Sequence, residues 1–140
     1  MDIYRELRDK HQREVNDFPI AFAFSKEQFE KGMRSFGLDP SETDKIYIFG
    51  DTGGFYRRAD APQLHEMFDR HEKERQEAID TDLTGNGYIF YMFRYELANH
   101  EYNYTGELTE TLEALDLTLK DIEKSEPLKN GLTKALARYK

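Results

Sequence analysis

One stretch of this chain is apolar nearly all round. From Tyr88 to Leu97 it runs Tyr-Ile-Phe-Tyr-Met-Phe-Arg-Tyr-Glu-Leu, so Ile89, Phe90, Met92, Phe93 and Leu97 give a helix a broad apolar side, with Tyr88, Tyr91 and Tyr95 on its flank. A helix that is apolar all round is stable in water only when other elements surround it. A helix from Tyr88 to about Asn103 is therefore expected at the centre of a mainly helical core, with the rest of the chain as its cover.

The rest of the chain suits that task. Charged residues make up 34% of the 140 positions and interleave with apolar ones at helical spacing, the pattern of solvated helices rather than of a disordered chain. Asp2 to about Val15 reads as a capped, exposed helix with a thin stripe of Ile3, Leu7 and Val15. Asp60, Pro62 and Gln63 mark the start of the longest helix, whose inward stripe is Leu64, Met67, Phe68, His71, Arg75, Ala78 and Ile79. Three short helices close the chain: one on Leu108, Leu112 and Leu115, one capped by Thr118, and one after Ser125-Glu126-Pro127. Lys129, Lys134, Arg138 and Lys140 on the last helix complement its dipole, a simpler account than a DNA-reading helix.

Three segments have the other periodicity. Ile20–Phe24 alternates large and small residues after Pro19, and Ile46–Phe49 and Phe55–Arg58 flank the turn Gly50-Asp51-Thr52-Gly53-Gly54 as a hairpin. Ser25 with Gln28 signals the start of a helix that carries Phe29, Met33 and Phe36 inward and ends at Gly37. The expected fold class is α+β: a mainly helical single domain spanning residues 1–140, with a small antiparallel sheet of about three strands.

Composition excludes several functions. With no cysteine there is no disulfide framework, thiolate nucleophile or zinc–sulfur site. The start of the chain is charged from Asp2 and lacks the apolar core of a secretory leader, and no run approaches the roughly 20 apolar residues of a membrane helix, so a cytoplasmic location is expected. The net charge of −8 argues against nucleic acid and anionic membrane surfaces as partners and leaves a protein partner open. No Gly-x-Ser-x-Gly elbow and no Gly-rich phosphate loop are present, and no cofactor is expected.

Two motifs carry chemistry elsewhere. Asp82, Thr84, Asn86, Gly87, Tyr88 and Ile89 match successive positions of a calcium-binding EF-hand loop, but the closing position, which needs a bidentate Glu, is Phe93. Asp82 is then the only carboxylate among the matched side chains, and an interhelical loop is the simpler reading. Asp51-Thr52-Gly53 is similar to the triplet of dimeric aspartic proteases, which are nearly all β, and to a GTPase switch that would need a preceding phosphate loop. For a transition metal the candidates are His65 with Asp69 and Glu96 with His100, each pair four apart on one helix.

Asp17-Phe18-Pro19 running into Phe24-Ser25-Lys26-Glu27-Gln28-Phe29, then Met67–Glu72, then Tyr95–Tyr102, together resemble a family of short bacterial proteins of unknown function, some carried on phages and other mobile elements. The resemblance covers nearly the whole chain. It implies a compact bacterial accessory protein and transfers no site.

The functional expectation is a non-catalytic protein-interaction or regulatory accessory protein, with Tyr88, Tyr91, Tyr95, Tyr102 and Tyr104 as its contact surface, since tyrosine is favoured at protein interfaces. The competing class is a metal-binding protein or metal-dependent enzyme using residues 82–100. A third is an acidic inhibitor that mimics nucleic acid, which needs carboxylates aligned on one face, whereas here Lys and Arg are mixed among them throughout.

Overall fold

Asp2, Ser25, Thr118 and Ser125 each sit where the backbone must turn into a helix, and each accepts a backbone N–H there: from Arg5, Gln28, Asp121 and Leu128 respectively. The computed structural model describes residues 1–139, and these residues form eight α-helices and one three-stranded antiparallel sheet, an α+β fold. The elements are α1 (Ile3–Asp17), β1 (Ala21–Phe22), α2 (Lys26–Ser35), β2 (Ile46–Phe49), β3 (Gly54–Arg57), α3 (Ala61–Thr81), α4 (Tyr88–Asn99), α5 (Tyr102–Thr105), α6 (Thr109–Ala114), α7 (Leu119–Glu123) and α8 (Glu126–Leu136). The chain divides into two compact units, one of Met1–His11 with Glu72 onward, the other of Gln12–His71. No helix among the described residues is long and apolar enough to cross a membrane.

In the first unit α4 is the central element. Its Ile89, Met92, Phe93 and Leu97 are at most 1% exposed, and Tyr4, Leu112, Ile122, Leu128, Leu132 and Ala135 complete the core around them. The closest packing is against α8 at Gly131, where a Cβ would come within 2.4 Å of Ile89 Cγ2. Gly85, at φ +82°, fits beneath the start of α8, where a Cβ would stand 2.0 Å from the Pro127 carbonyl oxygen.

Several boundaries differ from expectation, each for a local reason. Helix α4 stops at Asn99 rather than near Asn103 because Glu101 is left-handed, at φ +56°, a conformation its side chain does not announce. On α1 the buried residues are Tyr4 and His11 rather than Ile3, which is 37% exposed. Both are polar-tipped side chains whose tips find partners: Tyr4 on Glu96, His11 on Glu74.

In the second unit the sheet order is β1-β3-β2, with Ala21 opposite Phe55, Ile48 opposite Phe55 and Tyr47 opposite Tyr56. One face packs Phe55 and Ile46 against Met33, Phe29 and Phe36 around α2. The other packs Tyr56 and Phe49 against Leu64, Met67 and Phe68 of α3 and against Val15, Phe18 and Ile20. Strand β1 has two residues instead of five, because the Phe24 N–H is diverted to Gln28 Oε1 (2.7 Å) at the start of α2. Along α3, Phe68 is half-buried rather than buried, lying stacked on Phe49 with ring centroids 5.9 Å apart. Arg75 is exposed beside Glu72 rather than inward.

Candidate functional site

The inward face of α4 is used by the core, so its other face presents Tyr91, Arg94, Tyr95, Ala98 and Asn99 at i, i+3, i+4, i+7 and i+8. Arg5, on the first turn of α1, and Arg138, in the 3₁₀ turn that follows α8, come to the same place. Asp2, Arg5, Arg94, Tyr95, Ala98, Asn99 and Arg138 line a cleft of about 450 Å³ that holds three guanidinium groups and one carboxylate. The carboxylate is engaged, since Asp2 Oδ1 accepts the Arg5 backbone N–H at 3.0 Å and caps α1. None of the three arginines makes an ion pair with a described residue.

Tyr95 is the aromatic floor. The Arg5 and Arg8 guanidinium carbons lie 5.4 and 4.8 Å from its ring centroid, cation–π contacts of which Arg5's is made within the cleft lining. Behind Tyr95 stands Tyr4, its ring centroid 5.6 Å away, and the Tyr4 hydroxyl donates to Glu96 Oε2 at 2.5 Å. Glu96 is 6% exposed; His100 Nε2 is 3.5 Å from its Oε1, and the Thr111 hydroxyl donates to its backbone carbonyl at 3.4 Å. Burial first, then the hydrogen bond to Glu96, pushes the Tyr4 phenol far above its ordinary range. Burial pushes Tyr88 up to about 12, and Glu96 adds to the effect while Arg75 opposes it. Tyr4 thus stays a neutral donor at all ordinary pH values, and the cleft floor rests on a fixed buried hydrogen bond.

The expected contact tyrosines divide. Tyr88 is corrected: it is 4% exposed, edge-on to Tyr4 at 5.4 Å, and belongs to the core because it opens the inward face of α4. Tyr91, Tyr95 and Tyr102 are half-buried and Tyr104 is 82% exposed. Tyr102 packs edge-on against Tyr139 at 5.0 Å, next to Arg138.

The metal candidates occupy other places. Asp82 turns its carboxylate into its own loop, where Oδ1 accepts the Gly85 N–H (3.0 Å) and Oδ2 those of Gly87 (3.1 Å) and Ile89 (3.0 Å). It works as a remote cap for α4, filling the loop centre that an ion would take. The Thr84 hydroxyl accepts the Asn86 N–H at 3.1 Å, and Phe93 is wholly buried. His65 and Asp69 are exposed on α3 in the second unit, while Glu96 and His100 lie in the first. Among the described residues no group of three or more His, Asp or Glu side chains is placed to hold a metal ion. In the hairpin, Thr52 of the Asp51-Thr52-Gly53 triplet is spent on the turn, donating to Phe49 O and accepting from Gly54 N.

Arg5, Arg94 and Asn99 had no sequence signal as a set, because they lie on helices far apart in the chain. Arg138 was visible only as a helix-end cation; it sits beyond the end of α8, while Lys134 lies over the Phe90 ring at 4.9 Å and Lys140 is outside the described residues.

Fold and site together define a mainly α-helical α+β protein with an arginine-lined, tyrosine-floored cleft. Residues 3–138 match the model of a family of unknown function (DUF7659), and the chain belongs to that family. No curated protein matches the chain, and no solved structure does.

Proposed function

We propose that this chain is a non-catalytic protein-interaction module, an accessory or regulatory protein that receives an acidic segment of a partner in the cleft of Arg5, Arg94 and Arg138. The observation that carries the reading is the convergence of three arginines without a carboxylate partner among the described residues, on a chain whose net charge is −8. Like charges brought together repel, and a bound carboxylate relieves that repulsion through charge-assisted, bidentate hydrogen bonds. Half-buried Tyr95 in the cleft, with Tyr91 one turn away on the same face of α4, supplies flat contact area at low entropic cost. The acidic remainder of the surface opposes a nucleic-acid backbone, whose charge extends well past one cleft, more than it opposes a short acidic peptide.

Anisotropy of a labelled octaglutamate peptide tests this. It binds the intact chain in a salt-sensitive manner, and Arg94→Glu or Arg138→Glu weakens it about tenfold or more, since each reverses a cleft charge. Equal binding of a single-stranded oligonucleotide of the same length, or an unchanged affinity in both variants, overturns the reading.

A further inference from the structure

In the second unit α2 covers only part of its sheet face. Phe29 and Phe36 lie against Phe55, at 5.0 and 5.7 Å between centroids, and beside them a groove of about 570 Å³ is left open. Its floor is Phe55 and Ile46, which are 3% and 7% exposed, and its sides are Phe29, Ala23 and Ile48. Ile48 stands at the mouth, 77% exposed, and carries the apolar lining of the groove out to its edge. The polar groups at the rim are Thr43 and Arg58.

Arg58 is held in place. Its Nε donates to the Ile46 carbonyl at 3.2 Å, and its guanidinium carbon lies 4.6 Å from the Tyr47 ring centroid. It makes no ion pair with a described carboxylate. A guanidinium pinned through Nε and stacked on a ring keeps both Nη groups in one plane, the geometry that takes a carboxylate bidentately. An apolar hollow of this size beside one oriented cation is the composition of a small-ligand site.

We propose that this groove binds a small amphipathic carboxylate, an alkyl or aryl acid, with its apolar body against Phe55, Ile46 and Ile48 and its carboxylate on Arg58. The site is separate from the cleft of Arg5, Arg94 and Arg138, and neither proposal depends on the other.

Amide-resolved NMR titration of the full chain tests it, with octanoate as the probe and octan-1-ol and octylammonium as head-group controls. Octanoate gives saturable shifts at Ile46, Ile48 and Phe55, about tenfold tighter than octanol, with octylammonium weakest. Arg58→Met, which keeps the apolar stem, brings octanoate to the octanol level and leaves octanol unchanged; Arg58→Lys is intermediate. Ala23→Leu, which narrows the groove and spares Arg58, weakens octanoate and octanol alike. Absence of saturable shifts up to about 10 mM octanoate overturns the proposal, and so does equal affinity for the three head groups. Should Arg58→Met lose its folded spectrum, the head-group series on the unaltered chain and Arg58→Lys decide.

Discussion

Replacing Asp82 by Ala removes the acceptor of three backbone N–H groups at once. The Ile89 N–H is in the first turn of α4, and losing its cap costs about 1 kcal/mol. Gly85 is buried, so its N–H loses a charged acceptor without gaining water, at about 1–2 kcal/mol. Gly87 is half-buried and water replaces much of its bond, while the lost negative charge at the α4 N-terminus adds about 0.5 kcal/mol. The sum is about 3 kcal/mol, or roughly 10 °C in Tm for a chain of this length. Asp82→Asn keeps one acceptor oxygen, enough for Gly85 or for the Gly87–Ile89 pair but not both, and falls about midway. Urea melts with unchanged slope m measure both variants. A loss below about 1 kcal/mol in Asp82→Ala refutes the capping argument. A calcium-dependent rise in the Tm of the unaltered chain that Asp82→Ala abolishes refutes it as well, by putting an ion where the N–H groups are placed here.

Phe93→Ala leaves a cavity at the fully buried centre of α4 and costs about 3–5 kcal/mol in the same melts. Lys10 first, with His11, holds the Glu74 carboxyl down to about 2; a depressed carboxyl stabilises above its unfolded value, near 4.5, and that contribution is lost as pH falls toward 2. Acid denaturation of Glu74→Gln followed by circular dichroism is accordingly shallower between those values than that of the unaltered chain. Burial raises the Tyr4 and Tyr88 phenols, so their contribution is complete below pH 10 and is lost as pH climbs through their folded values. Absorbance at alkaline pH shows fewer than the chain's 9 tyrosines ionising near pH 10, with Tyr4→Phe and Tyr88→Phe each removing one late ioniser.

Features set by a few neighbouring residues were legible in the sequence. Ser25 and Thr118 cap helices through contacts three residues away, and Gly53 has the positive φ (+79°) that its hairpin needs. Phe93 and Leu97 were identifiable as core because they share one side of the helix with Ile89, the most apolar side of the most apolar helix in the chain. The site was not legible in that way. Arg5, Arg94 and Arg138 share a cleft through tertiary packing, and each alone looks like an ordinary solvated cation. Tyr4 lies outside the apolar stripe of its helix, and its burial depends on Glu96, on another helix, taking its hydroxyl. The loop after α3 was legible in shape and not in content. Asp, Thr, Asn and Gly at these spacings do wrap the backbone around a centre, and the centre is Asp82's own carboxylate.

That inward carboxylate also bears on chemical ageing. Asn86-Gly87 is the dipeptide most prone to deamidation, in which the glycine nitrogen attacks the asparagine side chain to close a succinimide ring. Here the Gly87 N–H is tied to Asp82 Oδ2, so that nitrogen must give up a charge-assisted hydrogen bond before it can lose its proton and attack. The other such dipeptide, Asn130-Gly131, lies inside α8, where the helical backbone resists the same closure. The residue that caps α4 therefore also protects the loop's covalent structure, and a chain that lost Asp82 would lose stability at once and asparagine at position 86 with time.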